Sequence, residues 1–492
     1  MFGCLVDAAV TARDAAAEVG GWARVENAAC ARRLSAGVEI LDRLIAADGS
    51  ADREQWCIDN WDAAAAEVGA AQNVSLGVAS HQLFVGLQLR DRLPRVAEVF
   101  AAGAFSYRLV EVVVARTRLV RDPDAMAKID TEVAAQIAGW TTLSKNKVQT
   151  SVDYWVDRYD PAAVRRSESH ARDRYVDIYD PDDGSGTASI QGSLLATDAD
   201  ALDQRLDAMA AAVCDGDPRT VEQRRSDALG AWGRGADRLQ CACGSEDCEA
   251  AAATTSAVVV HVVAREESLT DDTPAHLDGE ATRPQDEPMS PAATDPAYLM
   301  GRGMLPAPLL ASKLVGSAKL RPVVHPGDSP PERRYTPSAA LAWFVRCRDL
   351  TCRFPGCDEP ADHCDLDHTI AYPDGPTQAS NLKCLCRKHH LLKTFWGWRD
   401  VQHPDGTVEW VAPSGQAYTT RPGSELLFPT LCRPTAPVVV NRSPDDHLDD
   451  AARSLKTPRR KRTRAQNHAR AIEDERRANQ PYVDERNKPP PF

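Results

Sequence analysis

The sequence predicts a mainly α N-terminal domain with a small β portion, followed by a compact module of mixed α and β structure rich in Cys and His. Three observations lead there. Apolar residues recur at helical spacing through residues 1–160. Alternation of apolar and polar residues near 174–195, and the β-rich run SAVVVHVVA at 256–264, replace that spacing. Residues 346–398 then gather Cys, His and Asp in a fixed order found nowhere else in the chain. At 492 residues the chain is too long for one ordinary domain. The divisions that follow are 1–264, a helix-rich N-terminal domain; 265–298, an acidic Pro-rich linker; 299–332, a connecting helix, strand and hinge; 333–425, the Cys/His module with a following hairpin; and 426–492, a disordered basic tail.

The helices justify themselves one by one. In 31–46, Leu34, Val38, Leu41 and Ile45 share one face. Residues 77–100 read as a helix, a break near Pro94 and a second helix with Pro in its first turn. Gly103 ends it, and Ser106 can cap the next, whose apolar side is Leu109, Val110, Val113 and Val114. Ser144 precedes another with Val148, Val152 and Trp155 on one side. None of these positions has the spacing of a catalytic set, and the lone His81 reads as structural. Around the turn-rich PDDGSG, RYVDIYD and TASIQGSLLA form a hairpin. Helices follow at ATDADALDQRLDAMAAAV, with Thr197 or Asp198 as cap, and at TVEQRRSDALGAW. LPAPLLASKLVG and AKLRPVVHP read as a helix and a strand, and from Ser338 the helix SAALAWFVRCRD leads into the Cys/His segment. WGWRDVQHPDGTVEWVAPSG is a hairpin around HPDG.

Composition narrows the function. A net charge of −13 excludes a uniformly basic nucleic-acid binder. The charge is uneven, however: residues 453–470 hold eight Lys or Arg and no acid, and could track a phosphate backbone or lie solvated and disordered. The first residues lack a basic leader and are interrupted by Asp7, Arg13 and Asp14, unlike a signal peptide. No stretch reaches the ~18–20 apolar residues of a membrane span, so a cytoplasmic protein without membrane contact is expected. The 14 Cys do not suit a disulfide scaffold in so long a chain, and clustered Cys here point to metal.

Cys352-x4-Cys357 and Cys386-x2-His389 are two knuckles offering three thiolates and one imidazole, the tetrahedral set that suits structural Zn²⁺. Arg353, Pro355 and Gly356 permit the tight turn between the first pair. Cys347, Cys364 and Cys384 are left unassigned, with Cys384 near enough to Cys386 to exchange roles. A helix from about Cys386 to Phe395 would carry His390 away from the zinc. DLDHTIAY reads as a strand, so Asp367 and His368 point to opposite sides unless a bulge intervenes. One carboxylate and two imidazoles in a cleft could bind a divalent ion and leave one base free, the requirement for hydrolysing a phosphodiester. Arg387, Lys388 and Lys393, on the helix of His390, stand to meet phosphate. Elsewhere, Cys241-x-Cys243-x4-Cys248 could be a second zinc site, with Cys214 or His261 as fourth ligand, or a loop of solvent-exposed thiols.

The order Cys-x4-Cys, Asp-His, Asn, Cys-x2-His-His resembles the HNH endonuclease motif, a ββα-metal nuclease built of a hairpin and a helix. The resemblance implies His368 as general base, Asn381 as the residue ordering the loop between the strands, and His390 as a ligand of the catalytic ion. Asp367 stands where the family has the other metal ligand. The implied substrate is DNA, with Mg²⁺, Mn²⁺ or another divalent ion for catalysis. The whole chain also resembles actinobacterial, especially mycobacterial, proteins of the 13E12 repeat family, which join an uncharacterised helical N-terminal domain to a C-terminal HNH segment. RCRDLTCRFPGC, LCRKHHLLKTFWGW and QRRSDALGAW carry that likeness. The group often has His-His where this chain has Asp367–His368. Two other readings are a non-catalytic zinc-dependent nucleic-acid-binding protein, and a mobile-element or defence protein whose N-terminal domain binds a protein partner.

Overall fold

A computed structural model describes residues 2–11, 14–48, 51–137, 145–164, 175–179, 187–252, 261–273, 294–301, 303–440 and 458–488. The class is α+β. Eight helices come first: α1 (Phe2–Val10), α2 (Ala15–Asp48), α3 (Asn60–Gln72), α4 (Leu76–Asp91), α5 (Pro94–Ala101), α6 (Tyr107–Thr117), α7 (Pro123–Ile137) and α8 (Lys145–Tyr159). Their starts follow local chemistry. Asp59 and Asp62 form a reciprocal capping box on α3, Ser75 caps α4, and Pro94 sits in the first turn of α5. Ser106 takes the cap position of α6 with extended backbone, but its side chain makes no capping bond. Of the expected apolar faces, Leu34, Val38 and Leu41 of α2 are buried but Ile45 is exposed, and Val110, Val113 and Val114 of α6 meet Val148 and Val152 of α8 in one core with Phe100, Ile129 and Val133, with Leu109 and Trp155 partly buried against it. His81 pairs with Glu111 at the surface, 2.8 Å apart. Ser144 lies outside the described residues.

The expected hairpin is β1 (Tyr175–Tyr179) against β2 (Ser189–Ser193), its turn lying outside the described residues. Next come α9 (Ala196–Ala211) and α10 (Val221–Gly233). Thr220 and Gln223 form a capping box on α10. On α9 the cap position falls to Leu195, so Asp198 lies in the first turn, where it complements the helix dipole rather than capping.

Three departures from the sequence reading concern connections. The acidic Pro-rich segment is not simply a linker at its ends. Strands β3 (Val262–Val263), β4 (Ala297–Leu299) and β5 (Gly303–Leu305) form an antiparallel sheet, so the two ends of the segment belong to one sheet. Thr294 Oγ1 donates to Asp271 Oδ2 at 2.6 Å, and Ser268 Oγ to the Asp295 carbonyl at 2.7 Å, closing its base. Residues 274–293 lie outside the described residues. Strands of two and three residues are too short to show alternation. Secondly, helix α11 (Ala307–Leu309) runs into one wide and one tight turn, but 318–325 forms no strand. Pro322 and Pro326 cannot donate to a ladder, and Leu320 and Val324 are exposed.

The C-terminal module begins with α12 (Ala339–Asp349), capped by Ser338. Strands β6 (Asp365–His368) and β7 (Leu382–Leu385) pair antiparallel, and α13 (Arg387–Phe395) follows at once. The expected hairpin after it gains a third strand: β8 (Arg399–Gln402), β9 (Val408–Val411) and β10 (Ala417–Thr420) form a meander. The module and the helical domain share a core. Trp56, Ile58, Ala63, Ala66 and Ala70, in and before α3, pack with Phe344, Leu385, Leu392 and Trp396. Trp396 Nε1 donates to the Ile58 carbonyl at 3.2 Å, and the Trp56 and Trp396 rings meet edge to face at 6.0 Å.

The third departure is the tail. Phe428 and Leu431 are buried against the module, and α14 (Arg464–Arg486) is a capped helix rather than disordered chain. Arg460 donates to Asp59 Oδ2 at 2.8 Å and Asp62 Oδ2 at 2.7 Å, Arg464 reaches the same two carboxylates, and Arg476 holds Asp160 at 2.6 Å. Asn479 Nδ2 donates to the Ala162 and Val164 carbonyls. The helix has no apolar stripe. It docks mainly through charge onto acids 316 to 405 positions earlier, with Ile472 against the helical core, and no local pattern reveals this. Part of the basic run is therefore committed inside the chain. Replacing Arg460 and Arg464 together by Ala leaves Asp59 and Asp62 buried without cations. The expected loss is about 1–3 kcal/mol, below the full cost of breaking a buried pair because both arginines keep some water contact. Urea unfolding reads it, and an unchanged midpoint would mean that these two arginines add no stability.

Candidate metal and active site

The site is built where α12 ends. Asp349 is fully buried and accepts from Arg348 Nε at 2.8 Å, Arg353 Nη1 at 3.1 Å and the Cys384 backbone N–H at 2.8 Å. Arg348 also donates to the Ala379 and Leu382 carbonyls. These three residues lock the first knuckle to the β6–β7 hairpin. Cys352 N–H donates to the Glu359 carbonyl, and Arg353 N–H to that of Cys384. Gly356 turns the knuckle with φ +71°, and a Cβ there would lie 2.8 Å from the Val74 carbonyl oxygen, so glycine is required twice over.

Cys386 ends the hairpin and occupies the cap position of α13, and His389 lies one turn on. The ligand atoms of Cys352, Cys357, Cys386 and His389 all lie within 4.8 Å of one another. His389 Nδ1 is 3.2 Å from Cys386 Sγ and 3.6 Å from Cys352 Sγ, close to the ~3.5–3.8 Å between donors on a tetrahedral zinc. Phe354 stacks on the His389 ring at 4.0 Å and fixes its plane. Burial pushes the Cys352 thiol up, whereas hydrogen bonds from Cys352 and Cys357 pull Cys386 down. Without a cation these sulfurs share few negative charges, and a metal such as zinc would let all three ionise. Cys386 joins the cluster and Cys384 does not, being buried in the module core with Cys347 and Cys364.

A second constellation lies on β6 and the helix. Asp367 Oδ1 is 3.4 Å from His390 Nε2, while His390 Nδ1 is 2.8 Å from Asp365 Oδ2. Asp365, two residues before Asp367 and on the same strand face, orients the His390 ring. The two-residue strand period could have flagged it. Asp367 Oδ2 accepts from Lys383 Nζ at 2.7 Å and Lys393 Nζ at 2.6 Å. Burial works to raise this carboxyl, but the two lysines hold it well below the usual carboxylate range. Lys383 is fully buried between Asp367 and Asp400. Lys383 and Asp400 carried no sequence signal, because the pairing rests on the β6–β7 register, Asp367 opposite Lys383, and on β8.

Lys393 corrects an expectation. It is turned inward to Asp367 and the His368 carbonyl, so it does not face solvent to meet phosphate. A long side chain on the inner face of α13 finds carboxylates closer than water. Arg387 is exposed and leans on Asp365 at 3.2 Å, and Lys388 is exposed.

His368 points the other way from Asp367, as a strand requires. Its ring stacks on Tyr335 at 5.3 Å, and its Nε2 lies 2.9 Å from Thr377 Oγ1. Thr377 Oγ1 donates its one proton to the Arg334 carbonyl at 2.6 Å. It must therefore accept from His368, which puts the imidazole proton on Nε2 and leaves the Nδ1 lone pair available. Burial pushes the His368 pKa down, partly offset by Asp367, so the ring is neutral at pH 7. Asn381 is fully buried and braces the loop between the strands. Its Oδ1 accepts from Ile370 N–H at 2.9 Å, and its Nδ2 donates to the Ile370 and Pro376 carbonyls at 3.0 and 2.8 Å. The site thus holds a closed Cys3His cluster, a carboxylate–imidazole pair and, turned to the other side of β6 from that pair, a neutral imidazole of fixed tautomer.

Fold and site together define an α+β protein with a Cys/His cluster that could hold a metal ion such as zinc, seated on a helical domain. The chain belongs to the family described as "Domain of unknown function (DUF222)", whose profile matches residues 22–349. The uncharacterized protein Rv2100 of Mycobacterium tuberculosis (strain H37Rv) is 50% identical over 97% of this chain and 89% of its own length. Rv3776 of the same strain is 50% identical over 96% of this chain and 91% of its own length. No solved structure matches. The 13E12 repeat likeness is consistent with this family. Among the described residues, no helix is long and apolar enough to cross a membrane.

Proposed function

We propose that the chain is a metal-dependent endonuclease that hydrolyses DNA phosphodiester bonds through an HNH site on β6, β7 and α13. The observation that carries this reading is His368: a neutral ring whose Nε2 proton is fixed by Thr377, one residue from the Asp367–His390 pair. Cys352, Cys357, Cys386 and His389 would hold a structural zinc that seats α13 on the hairpin. Asp367 and His390 would hold a divalent ion such as Mg²⁺ or Mn²⁺, which supplies charge stabilisation at the phosphate. His368 Nδ1 accepts a proton from the attacking water. Asn381 keeps the β6–β7 loop in place so that this geometry persists. Arg387 and Lys388, exposed at the start of α13, are the cations left to meet the DNA backbone.

One observation favours the non-catalytic alternative. Asp367 Oδ2 is already satisfied by two lysines, which compete with an ion for the carboxylate. The test is to incubate the full chain with plasmid DNA and Mg²⁺ or Mn²⁺, beside His368→Ala. Nicking or linearisation by the native chain that disappears in the variant supports the nuclease. Intact DNA under every metal, with DNA binding retained, would leave the binding protein.

A further inference from the structure

A second set of thiols lies far along the chain from the site above. Cys214 follows α9, and Cys241, Cys243 and Cys248 lie on the loop after α10. The four Sγ atoms are all within 4.8 Å of one another, with Cys214 and Cys241 3.6 Å apart. His261, the other candidate for a fourth ligand, packs instead against the Trp343 ring at 4.7 Å.

The backbone around the sulfurs is turned and braced. Gly244, next to Cys243, has φ +71°, the same turn that Gly356 makes in the first cluster. A second layer fixes both arms of the loop. Buried Asp217 accepts from Ala242 N–H at 2.9 Å, between two of the cysteines, and from Arg219 Nη2 at 2.7 Å. Arg219 donates on to the Gln240 carbonyl at 2.8 Å, and Arg238 to that of Ala252 at 3.0 Å. Cys241 N–H donates to the Ala250 carbonyl at 2.7 Å. Arginines beside the loop also balance the negative charge that four thiolates on one divalent ion would carry.

The unit needs such a fastening. The core under α9 and α10 consists of Met209, Val213, Ala228, Ala231, Ala236, Leu239 and Cys241, separate from the two large cores. So few large apolar side chains do not hold a helix pair by themselves, and small units of this kind depend on staples. Four mutually close sulfurs with no oxygen donor among them select a thiophilic tetrahedral ion over Mg²⁺ or Ca²⁺. We propose that Cys214, Cys241, Cys243 and Cys248 form a second structural zinc site, of Cys4 type, that fastens the loop after α10 to the end of α9.

Metal analysis of the full chain tests it without any assay of activity. The native protein is expected to carry two zinc ions per chain. Cys241→Ser with Cys243→Ser should carry one, and His389→Ala should lose the other. Should the cysteine variant fail to fold, the native protein still decides. Cobalt substitution should give the intense thiolate-to-cobalt absorption of a four-sulfur site on top of the weaker spectrum of a three-sulfur site, and these four thiols should resist iodoacetamide until chelator is added. The proposal falls if the native protein holds a single zinc, if the four thiols alkylate freely, if mass spectrometry finds a disulfide among them, or if the bound metal is iron.

Discussion

Replacing His389 by Ala is expected to release a zinc and unfold the hairpin-helix unit, whereas replacing its neighbour His390 should leave metal and fold in place and remove activity. The two residues are adjacent on α13, a step of about 100° apart around the helix. His389 faces inward, its Nδ1 toward Cys352 and Cys386 and its ring under Phe354. His390 faces Asp365 and Asp367. Structural zinc in small domains contributes on the order of 10–16 kcal/mol of apparent binding energy, far above the stability of most domains. Loss of one ligand leaves three thiols, Cys352 deeply buried, crowded without a full set of donors. His390→Ala removes a quarter-exposed ring whose loss Arg387 partly covers at Asp365, so its cost should stay near 1 kcal/mol. Zinc content and thermal melting separate the two. Equal zinc loss in both variants would mean that one cluster, not two, occupies this corner.

The helices and the ligands were legible because both write themselves locally. Val110, Val113, Val148 and Val152 recur at helical spacing, and all four are buried. The Cys-x4-Cys and Cys-x2-His spacings put donors one turn apart, so the cluster followed from the order of residues alone. What escaped depends on distant partners. Lys393 is a surface cation on any helical wheel until β6 brings Asp367 beneath it. Arg460 reads equally as a phosphate contact or a solvated charge because Asp59 and Asp62 lie about four hundred positions away. The β3–β4 pair was hidden by an acidic insertion between strands too short to alternate. Cys214 was one of two candidates to complete its cluster, and only the packing of α9 on α10 chose it over His261. Apolar periodicity reports burial. Charge pairing across the chain has no period, and the tail shows how much of this fold depends on it.

His368→Ala should lower DNA cleavage by about 10²–10⁴-fold, the usual contribution of a positioned general base, with little change in stability. The ring is held by Tyr335 on one face and Thr377 at Nε2. A companion variant tests what would make this ring a base. Thr377→Val keeps the side-chain volume but removes the acceptor that fixes the proton on Nε2. The ring can then place its proton on Nδ1, where it cannot accept one from water. The expected loss is about tenfold in kcat with KM for DNA nearly unchanged, since no contact to substrate is removed. Thr377→Ser restores the acceptor and should restore most of the rate. Thr377→Val also loses the bond to the Arg334 carbonyl, so a structural role alone would show as lower thermal stability of Val with Ser unaffected, and a binding role would raise KM. If Thr377→Val cleaves at the native rate while His368→Ala does not, the base is secure but its tautomer is set by something other than Thr377. If His368→Ala keeps full activity, the assignment of the base itself is wrong, and the cleavage must come from elsewhere in the chain.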